Sequence, residues 1–111
     1  MTVMGDAPIP NVQRWMQETD IKGLVLVALV EQSGLDERTF PRRFQKATGL
    51  TTTDYVQRLR VGRARELLQQ GTLSGDQVAW EVGYTDPGTF RKVFVRIVGL
   101  TPAEYRKRFR G

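Results

Sequence analysis

The chain says nearly the same thing twice. It closes on GLTPAEYRKRFRG, and residues 49–60 already read GLTTTDYVQRLR. The echo begins earlier, because Asp36, Thr39, Phe40 and Phe44 recur fifty positions later as Asp86, Thr89, Phe90 and Phe94. Segments 36–60 and 86–110 share ten identities, so one supersecondary unit is written in two copies. In 111 residues two such units must be small and must bury modest cores.

The pattern inside each copy is helical. Val12, Trp15, Met16 and Thr19 with Pro10 near the start predict a helix at about 10–19, Trp15 facing the core. LVLVALV at 24–30 leads into EQSG and aligns with QVAWEVG of the second copy, which predicts a helix at about 25–33. Asp36 is expected to cap the next helix, with Phe40 and Phe44 on its buried side and Gly49 as its stop. A long helix at about 53–70 follows, with a stripe at Val61, Ala64, Leu67 and Leu68 and Gly71 as its end. Ser74 caps a helix at about 75–82. Asp86 caps another at about 87–98, with Pro87 at its first position, and Thr101 and Pro102 open the last, to about 109.

The fold class is therefore all-α, with seven helices and no convincing strand. The predicted organisation is a tail at 1–8, a first helix-turn-helix subdomain at 9–52, a linking helix at 53–70 and a second subdomain at 71–111. Phe40, Phe44, Phe90, Phe94, Tyr55, Tyr105, Trp80 and Leu59 are expected in the core.

Composition removes most chemistries. With no Cys and no His, the chain has no disulfide, no Cys/His zinc site, no thiol nucleophile and no Ser-His arrangement. The expectation is no catalytic residue, no metal and no cofactor. The longest apolar run is too short to span a bilayer, so a cytoplasmic protein without membrane contact is the default. Charge is uneven: residues 1–35 carry two basic and four acidic side chains, residues 36–111 fifteen and eight. The excess of positive charge coincides with the repeat; a basic surface alone is more often an ordinary solvated face than a nucleic-acid site, so it needs supporting geometry.

In each copy a short helix, a turn at Gly34 or Gly83 and a second helix bearing two inward Phe residues have the spacing of a helix-turn-helix. Glycine permits the positive φ of the turn, and Ala79 is small where two helices cross. SGLDERTFPRRFQKATGL with YVQRLRVGRARELL, and QVAWEVGYTDPGTFRKVFVRIVGLTPAEYRKRF, resemble the DNA-binding domain of the AraC/XylS family of bacterial transcription regulators over about residues 9–110. The resemblance implies two helix-turn-helix units at the ends of a linking helix, here Asp54 to Gln70, roughly 25 Å long at 1.5 Å per residue. Two readers would then meet successive major-groove faces of one duplex, about 34 Å apart on straight DNA. The implied partner is double-stranded DNA. RNA polymerase and an effector-sensing or dimerisation domain elsewhere in a longer chain are further partners implied by the family.

The base-reading positions of family members fall on Arg38, Pro41 and Arg42 in the first unit and on Pro87, Gly88, Arg91 and Lys92 in the second. Of these only Arg38, Arg42, Arg91 and Lys92 have side chains that can donate hydrogen bonds to base edges, and Gly88 joins the expected base contacts by its place in the family motif. Thr51, Thr52 and Thr101 stand at helix starts that family members aim at phosphate, although plain N-capping would use the same threonines. Arg58, Arg60, Arg106 and Arg108 are expected phosphate contacts, with a solvated surface charge as the plain alternative.

Two departures from the family pattern are visible. Pro41 is the fifth residue of a helix capped by Asp36, where it lacks an N–H for the Glu37 carbonyl and clashes with it. That predicts a kink or a later start. Val25 stands where a Ser or Thr cap is usual and Val30 where Ala is usual, which predicts looser packing of the first helix pair. The competing function is a helical protein-interaction module with a basic face.

Overall fold

The computed structural model describes residues 8–109, and within them the chain forms seven α-helices and no strand. These are α1 (Pro8–Glu18), α2 (Leu26–Ser33), α3 (Thr39–Thr48), α4 (Thr52–Gln70), α5 (Gly75–Glu81), α6 (Pro87–Val98) and α7 (Pro102–Phe109), with one 3₁₀ turn at Ile21–Gly23. The expected tail at 1–8 lies outside the described residues except for Pro8. Pro8 already opens α1, two residues before the predicted start. Proline is tolerated there because the first turn of a helix needs no N–H from it.

The helices form two compact units, dividing within α4 after Val56. In the first, α1 packs against α2 and α3, and Ile9, Val12, Met16, Leu24, Leu29, Phe40, Phe44 and Val56 are buried. In the second, α6 packs against α5 and α7 around Val78, Ala79, Val82, Phe90, Val93, Phe94 and Tyr105. Val61, Ala64, Leu67 and Leu68 of α4 belong to the same core, so most of the segment expected to link the units is structural in the second.

The repeated residues are the interior. In the first unit the Phe40 and Phe44 rings lie 5.5 Å apart, and Phe44 meets Tyr55 edge-on at 5.1 Å. In the second the same chain runs from Phe90 to Phe94 at 5.7 Å and on to Tyr105 at 5.7 Å. Both tyrosine hydroxyls are satisfied: Gln13 Nε2 donates to Tyr55 at 3.2 Å and Gln69 Nε2 to Tyr105 at 2.5 Å. Three of the ten identical positions of the repeat thus hold two aromatic trios whose tilted and edge-on geometry is the favoured one.

Two expectations are corrected. Trp80 is not core but 57% exposed. The buried residues of α5 are Val78 and Ala79, with Val82 just after it, and at about 100° per residue Trp80 falls on the opposite side. Asp36 is the second case. Its carboxylate accepts from the Arg38 and Thr39 N–H groups at 3.0 and 2.7 Å, but the regular helix α3 starts only at Thr39, with Arg38 as its backbone cap. The cause is Pro41. Phe40 N–H reaches the Asp36 carbonyl at 3.0 Å, but residue 41 has no N–H to give the Glu37 carbonyl, so one helical bond is skipped. The equivalent helix α6, with Arg91 in that place, starts directly after Asp86.

Candidate nucleic-acid interface

Both turns are built as the sequence requires. Gly34 and Gly83 have φ of 72° and 100°, which residues with a Cβ rarely adopt. Ser33 tightens the first turn, its hydroxyl donating to the Val30 carbonyl at 2.6 Å and accepting from Leu35 N–H at 3.0 Å. At Gly83 there is also little room: a Cβ there would lie 3.1 Å from the Arg60 guanidinium carbon. The same guanidinium rests over the Tyr84 ring at 5.5 Å, a cation–π contact that pins the turn to α4. Burial pushes the Tyr84 hydroxyl above its ordinary range, and the Arg60 charge partly opposes the shift.

In the second unit α6 begins on Asp86, whose carboxylate accepts from Gly88 and Thr89 N–H at 3.2 Å each and from the Thr89 hydroxyl at 2.7 Å. The Thr89 hydroxyl and these backbone bonds hold the Asp86 carboxyl below its usual range, and Lys92 adds to the effect. Phe90, Val93 and Phe94 turn inward; Arg91 and Lys92 are exposed on the outer face, with Gly88 one turn before Lys92 and half-buried. The three expected base-reading residues of this unit therefore lie together on the side of α6 away from the core.

The first unit repeats the arrangement with less order at its start. Arg38 and Arg42 are exposed and one turn apart, while Phe40 and Phe44 are buried. Pro41, between them in sequence, is partly buried and offers no donor. Hydrogen bonds from Thr39 lower the Asp36 carboxyl, with Arg42 adding to the effect at this helix start.

The expected phosphate contacts separate into groups. Thr51 and Thr101 are N-caps: their hydroxyls accept from Asp54 and Glu104 N–H, each at 3.1 Å, and Glu104 returns a bond to Thr101 N–H at 2.8 Å. The reciprocal Thr101–Glu104 pair engages both the Thr101 hydroxyl and its N–H. Thr52 is 6% exposed and its hydroxyl has no partner, so its side chain faces the interior rather than an external phosphate. Arg106 is also turned inward. Its Nε donates to the Leu68 carbonyl at 3.0 Å and its Nη2 to the Leu73 carbonyl, where it satisfies the end of α4 and the loop behind it. Arg60 serves the Gly83 turn. Arg58 and Arg108 remain on exposed faces.

Helical spacing carried one turn further adds two residues that the sequence reading missed. Gln45 and Val95 occupy the same repeat position, both exposed, three residues after Arg42 and Lys92. The signal was the 3.6-residue period itself, which makes 38, 41, 42, 45 and 88, 91, 92, 95 two stripes of equal spacing. Among the described residues no helix is long and apolar enough to cross a membrane, and no three His, Cys, Asp or Glu side chains group as a metal site.

These observations agree with what the chain is similar to. A helix-turn-helix domain family model matches residues 29–108. The activator RhaR of Enterobacter sp. strain 638 is 37% identical over 89 residues, which is 80% of this chain and 32% of RhaR. The activator RhaS of Salmonella schwarzengrund is 31% identical over 102 residues, covering 92% of this chain and 37% of RhaS. The chain thus spans about a third of the length of these curated relatives. Among solved structures, the DNA-binding domain of the global transcriptional factor AdpA, in complex with a target DNA, superposes with a TM-score of 0.84 at 31% identity over 92% of both chains. A two-unit helical chain whose glycine turns each precede an exposed basic stripe, and which aligns along most of its length with these regulators, belongs to the AraC-type helix-turn-helix family.

Proposed function

We propose that the chain binds double-stranded DNA sequence-specifically as the DNA-binding domain of a bacterial transcription regulator, with α3 and α6 entering successive major grooves of one duplex. The observation that carries this reading is the doubled stripe. Each second helix of a helix-turn-helix turns two phenylalanines into its own core and cationic side chains outward, Arg42 of α3 with Arg38 at its cap, and Arg91 and Lys92 of α6. A recognition helix requires that division, because a helix fits the major groove only if its outer face is free and its inner face is anchored. The AdpA domain, solved with its target DNA, supports the same use of the fold.

In this reading Arg38, Arg42, Arg91 and Lys92 donate to base edges, and Gly88 lets the helix start approach closely. Thr51 and Thr101 present helix N-termini to phosphate, and Arg58 and Arg108 add charge along the backbone. Thr52, Arg60 and Arg106 support this surface from inside. The domain catalyses no reaction; it acts in the cytoplasm, where the chromosome is. A sensing or dimerisation domain and RNA polymerase are partners of the longer regulators to which such a domain belongs. Because Arg38, Pro41 and Arg42 differ from Gly88, Arg91 and Lys92, the two half-sites differ and the operator need not be a palindrome.

The test is salt dependence on random duplex. About five phosphate contacts give a log–log slope steeper than about −4. A flat response, or no mobility shift at moderate salt, would replace this reading with that of a protein-interaction module.

A further inference from the structure

The outer face of α6 carries one apolar side chain that packing does not explain. Val95 is 38% exposed, while the neighbouring hydrophobic residues Val93 and Phe94 are buried. With about 100° of rotation per residue, Val95 lies on the helix between Arg91 and Lys92 and almost directly behind Gly88. It is therefore inside the reading stripe, not at its margin. The spacing 88, 91, 92, 95 is also that of the four major-groove positions of homeodomain recognition helices. In the first unit the same place holds Gln45, a polar side chain, so the repeat does not impose an apolar residue there.

A major groove presents one apolar group, the C5-methyl of thymine. We propose that Val95 is a specificity-determining residue of the second unit and selects thymine by burying that methyl against its own γ-methyls. The inference rests on the reading above, in which α6 lies in a major groove. Lys92 and Arg91 supply the hydrogen bonds to purine acceptors on one side, and Val95 excludes water at the adjacent pair. A cytosine there leaves the valine facing hydrophilic edge atoms, and an adenine presents its N6 amino group to it without an acceptor. The consequence is a thymine requirement in the half-site of the second unit with no counterpart in that of the first.

The experiment uses the preferred duplex selected from a random library, with each thymine replaced singly by deoxyuridine, which deletes only the methyl. Wild-type protein is expected to lose about three- to fivefold in affinity at one thymine, the value of one buried methyl. Val95→Ala should bind the thymine and uracil duplexes within about 1.5-fold of each other and match the wild type on the uracil duplex. Val95 is exposed, so the variant keeps its fold, and an unchanged melting temperature verifies this. The proposal is overturned if no single methyl deletion weakens wild-type binding, or if Val95→Ala retains the full penalty. Those results leave selection of a preferred duplex intact, whereas failure to select any duplex overturns the functional reading and this inference together.

Discussion

Ser74 and Gln77 cap α5 reciprocally: the Ser74 hydroxyl accepts from Gln77 N–H at 3.1 Å, and the Gln77 side chain accepts from Ser74 N–H at 2.8 Å. The equivalent helix α2 starts on Val25, whose side chain caps nothing and is 52% exposed. Replacing Val25 by Ser supplies the missing acceptor without emptying any packed space. Val25→Ser is expected to raise stability by about 1 kcal/mol, and Ser74→Ala to lower it by about the same amount. Urea denaturation of both variants measures this, and equal midpoints for Val25→Ser and wild type would contradict it.

Thr52 and Pro102 are repeat equivalents, both buried at the first turn of their helices. Pro102 brings no polar side-chain atom, whereas the Thr52 hydroxyl is buried without a partner. Thr52→Val keeps the shape and removes the orphan. Stability should rise by about 1 kcal/mol, seen as a higher melting temperature. A lower melting temperature would show that the hydroxyl has a role in the folded state.

Arg106 and Arg108 are two residues apart and do different work. Arg106→Ala leaves the Leu68 and Leu73 carbonyls without their donor and should cost about 1–3 kcal/mol of stability. Arg108→Ala should leave the melting temperature unchanged and reduce the salt slope of DNA binding by about 1. Thermal melts and salt titrations on both variants separate the roles, and an exchange of the two phenotypes would refute the assignment.

Three helix-start carboxylates set the acid limit. Hydrogen bonds from Thr39, Thr89 and Thr101 hold the Asp36, Asp86 and Glu104 carboxyls below their ordinary values. A carboxyl lowered by folding binds fewer protons in the folded state than in the unfolded chain, so it contributes stability above its unfolded value near 4 and loses it as pH falls through its folded value. Melting temperature should therefore be flat between about pH 5 and 7 and fall below about pH 4. Thr89→Val removes the hydroxyl bond that does most to lower the Asp86 carboxyl, brings its folded value closer to the unfolded one, and should make the acid fall shallower. An identical acid profile for the variant would show that the Thr89 hydroxyl does not act on Asp86.

The repeat made most of the architecture legible. Ten identities in register mark the aromatic trios, the Asp36 and Asp86 caps and the GLT helix starts, because buried rings and caps tolerate few alternatives. What escaped was local. Trp80 is large and apolar, and residue type alone placed it inside; the helix phase set by Val78, Ala79 and Val82 places it outside. Pro41 announced a disturbed helix, but that the chain would keep the Asp36 turn and begin regular helix at Thr39 depends on which single hydrogen bond is lost. Arg106 and Arg108 look alike in sequence, and only tertiary contact with the end of α4 distinguishes a structural guanidinium from an exposed one.

Base reading by the outward stripe of each second helix is what would separate sequence recognition from plain charge attraction. Its most direct test is competition binding of wild type and Lys92→Ala against every single-base variant of the selected duplex. Lys92→Ala is expected to weaken the preferred site by about 1–3 kcal/mol and to relax preference at one or two base pairs, leaving the others as selective as before. A uniform loss across all variants, with the same pattern of preference as wild type, would contradict it, because Lys92 would then be touching only phosphate.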